Sequence, residues 1–162
     1  MSPQPPDTSA DPPSPAVDLR PVDAENWRLC AALEVADEQR DFVSPVTRYL
    51  CLCHYGGLWQ PFAVYDGDEV VGFAMWAVDP ADQSGWIGGL IVDERHQSRG
   101  YVRAALRALV AWLRDDRALP SCALGYSADN AVARRLYASE GFVETGELED
   151  DELVARLRFA PE

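Results

Sequence analysis

The feature that most restricts the fold is a strand, helix, strand succession in the middle of the chain. Residues 86–92 form one apolar run and residues 122–126 another, while Val102, Leu106, Leu109, Val110 and Leu113 make a stripe at i, i+4, i+7, i+8 and i+11. The stripe predicts an amphipathic helix, and the runs on either side predict buried strands. A helix between two such strands joins them in parallel through a right-handed crossover. Ligands of such sheets gather where strand carboxyl ends meet helix N-termini, which directs attention to residues 93–102.

The other segments fit around this unit. A short strand over 17–20 leads into an amphipathic segment over 24–36, with Trp27, Ala31, Leu33 and Val35 on its apolar face. Ser44 and Pro45 predict the N-cap and first turn of a second helix through about His54. Residues 61–65 and 70–78, joined by Asp66-Gly67, have the spacing and turn chemistry of a hairpin. Gly88-Gly89 inside an apolar run suggests a bulge or a place where another backbone approaches closely, and Ser98 is the expected cap of the central helix. A helix over 129–140, closed by Gly141, precedes strands over 142–145 and 153–159 with an acidic turn between them.

The expectation is one α/β domain over 17–162, with a central sheet of mixed direction flanked by helices. Residues 1–16 read as a disordered tail, because six of the twelve prolines fall in residues 1–15 with no basic residue and no apolar run. That stretch has the make-up of neither a signal peptide nor a membrane helix.

Charge and composition remove whole function classes. The chain has 14 basic and 27 acidic residues, net −13; without Asp7 and Asp11 the domain carries −11. Such a surface repels nucleic acid and anionic membranes, so neither is an expected partner. All basic residues are arginine, which excludes a Walker-type lysine, a Schiff base and any lysine nucleophile. Cys30, Cys51, Cys53 and Cys122 form no C-x-x-C pair and read as reduced thiols of a cytoplasmic protein. His54 and His96 lack zinc-ligand spacing, so no metal is expected.

Against that acidity, Arg95, Arg99, Arg103, Arg107 and Arg114 put +5 into residues 95–114, where no acid occurs. Spacing by four aligns the guanidinium groups along one side of the helix. With free amides in the first turn and Gly100 allowing close approach, the segment reads as an anion site for phosphate. A dinucleotide fold would need G-x-G-x-x-G after its first strand, and Gly100 alone follows a late one.

On these residues the chain resembles a known family. Gln97-Ser98-Arg99-Gly100-Tyr101-Val102, following a strand, resembles the acetyl-coenzyme A signature Q/R-x-x-G-x-G/A of the GNAT N-acetyltransferase superfamily. Asn130, Ala133, Leu136, Tyr137, Gly141 and Phe142 match its second signature, N-x-x-A-x-x-L-Y-x-x-x-G-F, and Val71-Gly72-Phe73 fits the preceding hairpin. Four further segments, Gln60 to Ala63, Val71 to Ala74, Trp86 to Leu90 and Thr145 to Glu147, are similar to bacterial spermine and spermidine (diamine) acetyltransferases.

The resemblance implies the GNAT fold, acetyl-coenzyme A as co-substrate, and an acetyl group moved to a primary amine, most similarly a polyamine such as spermidine or spermine. It implies that backbone amides of Gln97, Ser98, Arg99, Gly100, Tyr101, Val102 and Arg103 hold the pyrophosphate, with charge-assisted bonds from Arg99 and Arg103. Amides of Ile91 or Val92 would polarise the thioester carbonyl, Asn130 would bond the pantetheine arm, and Tyr137 would protonate the leaving thiolate as catalytic acid. A homodimer is left open.

The chain departs from the pattern twice. Val102 stands where the family has Gly or Ala, and Gly88 stands where eukaryotic polyamine acetyltransferases have a glutamate. The general base is therefore unassigned, with Glu34, Asp79, Asp82 or a water held at the Gly88-Gly89 bulge as candidates, the water preferred. The acids Glu34, Asp37, Glu38 and Asp41, and the run 147–152, can attract a polycation or can be plain solvated turns. The alternatives to a polyamine enzyme are acetylation of an antibiotic amine or a protein N-terminus, and a non-catalytic acyl-coenzyme A sensor.

Overall fold

The computed structural model describes residues 15–159. The tail expected over 1–16 falls outside them except for its last two residues. The elements run β1 (Asp18–Pro21), α1 (Trp27–Ala31), α2 (Val46–Gly56), β2 (Gln60–Asp66), β3 (Glu69–Val78), β4 (Gly85–Val92), α3 (Tyr101–Ala111), β5 (Ser121–Tyr126), α4 (Ala131–Ser139), β6 (Val143–Glu149) and β7 (Glu152–Arg158). The strands form one sheet in the order β1-β2-β3-β4-β5-β7-β6. Among the described residues only β4 and β5 run parallel, joined by α3, as the central strand, helix, strand pattern predicts.

Strand alternation divides the core between two faces. Phe62, Ala74, Ile87, Cys122, Leu124 and Ala155 pack toward α3 with Leu106, Leu109 and Leu113. Ala63, Tyr65, Phe73, Met75 and Ile91 pack toward α1 and α2 with Cys30, Leu33 and Val46. These three leucines are fully buried, and each contributes about 1.5–3 kcal/mol by leaving water.

Four local expectations need correction. The segment expected to be helical over 24–36 has a helix only over Trp27–Ala31. Asp23 Oδ1 accepts from the N–H groups of Glu25 and Asn26, and Asn26 Oδ1 accepts from Asp23 N–H, so a turn delays the start. Ser44 does not cap α2: Pro45 holds that position, and Ser44 N–H donates to Tyr49 Oη. Ser98 does not cap α3 either; Gly100, at φ +85°, is the N-cap. At the chain's end the strands extend into the acidic run, leaving Asp150 and Asp151, both at positive φ, as the turn.

The bulge at Gly88-Gly89 is present, with a register break opposite Phe73 and Met75. Gly89 sits at φ +57°, and a Cβ on either glycine would meet the α2 side: Trp59 and Met75 for Gly88, Tyr49 and Phe73 for Gly89. Two consecutive residues thus face one way, which is what an inserted residue does to strand alternation.

Candidate active site

The bulge lies on the strand that borders the widest irregularity in the sheet. β4 and β5 pair only at Gly85 with Cys122 and at Trp86 with Ala123. Beyond that point β4 follows β3 to Val92 while β5 follows β7 to Tyr126, so the sheet splits into a cleft open at both strands' carboxyl ends. Asp93 N–H donates to Val71 O on β3. Alternation then directs the Ile91 backbone toward β3 and the Val92 N–H toward the cleft, which separates the two amides the sequence left as alternatives.

At the mouth, a 3-10 turn (Glu94–His96) leads through Gln97 and Ser98, the latter at φ +63°, to Gly100. The first intrahelical bond of α3 runs from Ala104 N–H to Gly100 O. The N–H groups of Tyr101, Val102 and Arg103 therefore have no acceptor within the helix and point out of its first turn. Ser98, Arg99 and Gly100 are exposed beside them. Pro15, just ahead of β1, lies against Gly100, where an added Cβ would come within 3.2 Å of its ring. Tyr101 is buried and its hydroxyl donates to Asp66. Val102 packs with Val64, Val71, Val92 and Ala105 against the sheet, so its side chain turns away from the mouth.

The arginine stripe is less free than its spacing suggests. Arg103 and Arg107 both bond Glu140, just past α4, and Arg103 also donates to Ser139. Arg95 pairs with Asp93 and Arg114 with Asp115. Among the described residues, Arg99 alone of the five makes no ion pair. The sequence shows no acid inside the stretch; the partners come from its edges and, for Glu140, from a different helix. Burial opposes the charge on Glu140, but the two guanidinium groups outweigh it and hold its carboxyl below the usual range.

Across the cleft, α4 carries the second group of candidates. Asn130 caps α4, its Oδ1 accepting from Ala133 N–H at 3.2 Å. Its carbonyl is thus occupied, and its amide N–H₂ is the half that remains to meet a ligand. Tyr137 packs on Tyr126 and Phe142 at centroid distances of 5.4 and 6.0 Å. Burial, with a smaller push from the Glu152 carboxylate, raises its phenol to about 12, so it stays protonated.

The base candidates separate by position. Asp79 and Asp82 belong to the β3–β4 turn, at the end of β4 remote from Val92. They bond Ala81 N–H, the Trp86 indole and Ser84 there. Glu34 lies at the mouth: its N–H donates to Asp93 and its side chain is exposed. Over the bulge, where a water was preferred, Trp59 comes within 3.1 Å of a Cβ on Gly88 and fills that side. The sequence reading passed over Asp93, Glu140 and Tyr49; their roles arise from contacts between segments far apart in sequence.

Residues 23–142 match the profile of the Acetyltransferase (GNAT) family, and the chain belongs to that family. It is 28% identical over 145 residues to spermine/spermidine N(1)-acetyltransferase of Bacillus subtilis (strain 168), covering 83% of this chain and 92% of that protein. Its fold is similar to that of spermidine N-acetyltransferase from Vibrio cholerae in complex with CoA and spermine, at TM-score 0.69 and 20% identity, covering 86% and 92% of the two chains. It is also similar to ribosomal-protein-S18-alanine N-acetyltransferase from Escherichia coli, at TM-score 0.66 and 22% identity, covering 90% and 97%. Among the described residues no group of three metal-binding side chains occurs, and no helix is long and apolar enough to cross a membrane.

Proposed function

We propose that the chain transfers acetyl from acetyl-coenzyme A to a primary amine of a small polyamine such as spermidine or spermine. The observation that carries this is the split between β4 and β5, at whose mouth the free amides of α3 lie beside exposed Glu34, in a segment that also carries Asp37, Glu38 and Asp41. The arrangement suits an anionic donor arm entering from α3 and a cationic acceptor arriving over the acids. The similarity to a named spermine/spermidine enzyme supports the same substrate class.

In this reading the amides of Gln97 to Arg103 and the Arg99 guanidinium hold the pyrophosphate, Asn130 Nδ2 holds the pantetheine arm, and Val92 N–H polarises the thioester carbonyl. The amine nitrogen bonds to the carbonyl carbon, the carbon–sulfur bond breaks, the sulfur takes the Tyr137 proton, and the surplus proton of the acylated nitrogen passes through water back to the Tyr137 oxygen. Burial keeps the phenol proton on oxygen until the bond to sulfur lengthens. An alkylamine has a pKa near 10.4, so the acceptor must first lose a proton to water. The exposed acids at the mouth act as counter-ions for the remaining ammonium groups.

A panel of amines scored for free thiol release tests the reading. Spermidine and spermine are expected to give the highest kcat/KM. A preference for an aminoglycoside or a peptide N-terminus would replace the substrate class, and coenzyme A binding without turnover of any amine would make the chain a sensor.

A further inference from the structure

Asp93 is only 2% exposed, yet it carries a charge. Its Oδ1 accepts from Arg95 N–H at 3.0 Å and Arg95 Nε at 2.9 Å, and its Oδ2 accepts from Glu34 N–H at 3.1 Å. The bond to Glu34 is returned, because Glu94 N–H donates to Glu34 O at 2.7 Å. Three residues on from Glu94, Gln97 Nε2 bridges Val92 O at 3.1 Å and Gln39 Oε1 at 2.6 Å. Residues 92–97, which lead into the free amides of α3, are thus stapled at two points to residues 34–39, which carry acids of the acceptor side. Burial opposes the Asp93 charge, but the bonds from Arg95 and Glu34 outweigh it and hold the carboxyl below its usual range.

From this geometry we infer that Asp93 is a positioning residue that couples the donor turn to the acceptor segment, so that ordering of residues 93–100 by coenzyme A also orders residues 34–39 and prepares them for the amine. The inference rests on the acyl-transfer reading of the cleft. Asp93 is buried, with both oxygens taken up by protein donors. Its two oxygens face N–H donors on opposite sides, and only a carboxylate can accept on both. An asparagine there turns a donor toward either Glu34 or Arg95.

The test uses the full chain with coenzyme A as probe and follows amide hydrogen exchange in residues 34–39. Saturating coenzyme A is expected to slow exchange there about tenfold in the wild type and less than about twofold in Asp93→Asn. In steady state, Asp93→Asn is expected to raise KM for spermidine about tenfold while kcat falls less than about threefold. Gln39→Ala removes the outer staple without touching Asp93, and is expected to weaken the exchange effect about threefold. It decides the matter should Asp93→Asn fail to fold.

Coenzyme A that binds but leaves exchange in residues 34–39 unchanged in the wild type, or changes it equally in wild type and variants, overturns the inference. If no amine is acetylated, the polyamine reading falls, while the exchange experiment still decides the coupling.

Discussion

In α3, Leu106 and Leu109 are wholly buried, whereas Leu29 of α1 and Leu52 and Tyr55 of α2 stand in water. The arginines differ from the acids in the same sense. Those of α3 are mostly fixed by Glu140, which ties α3 to the end of α4, while the Glu34, Glu38 and Asp41 side chains make no ion pair among the described residues. One side is a rigid frame for the donor chemistry. The other is a loosely packed rim, joined to that frame by the staples at Asp93 and Gln97. Chemistry that must be aligned to a fraction of an ångström sits on packed helices, and selection of a flexible cation does not need them.

Four substitutions can break or sharpen this contrast. The largest effect is expected on the rigid side, where Tyr137→Phe should lower turnover about 100-fold or more with nearly unchanged affinity for coenzyme A. In the wild type kcat/KM should rise with pH toward about 9 as free amine accumulates. Tyr137 does not end that rise, because burial raises its phenol to about 12 and an acid with a raised pKa keeps its proton to higher pH. Unchanged turnover in Tyr137→Phe, with chemistry rate-limiting, would remove the phenol from the mechanism.

Arg99→Ala comes next. One charge-assisted bond contributes about 1.5–3 kcal/mol, so calorimetry should show coenzyme A bound roughly 10-fold to 100-fold more weakly. Arg107→Ala, whose partner is Glu140, should weaken it less than Arg99→Ala does. Equal losses would mean that the whole stripe meets the ligand. The smallest effect is expected on the rim: Glu34→Gln should raise KM for spermidine about twofold to fivefold at constant kcat, the size of one exposed ion pair. A thousandfold loss of turnover there would make Glu34 the base and the rim part of the chemistry.

Much of the fold was readable because its signals are local. The α3 stripe, the Asp66-Gly67 hairpin, the Gly88-Gly89 bulge and the Gly141 helix end each follow from residues within a few positions of one another. Two of the misreadings share one cause. The helix expected over 24–36 stops at Ala31, and the chain beyond it is held to Asp93 through the backbone of Glu34. A bond spanning 59 residues cannot appear in a periodicity. The arginine stripe looked unpartnered for the same reason, since Glu140 lies 33 residues from Arg107. The residues expected to form the site were assigned one by one from a motif, whereas the ties that hold the site together were not legible.

The seam at Gly85–Cys122 and Trp86–Ala123 also orders the history of the molecule. The strands β1 to β4 are antiparallel neighbours in chain order, β2 to β4 joined by short turns and β1 to β2 through α1 and α2, so this half emerges first from the ribosome. The remaining strands need β7, the last element, before β5 has its second neighbour. Contacts of long sequence separation form slowly because loop closure comes before their reward. The cleft is therefore the last feature of this protein to exist, and a nascent chain cut off before β7 would carry a finished antiparallel half beside an unfinished mouth.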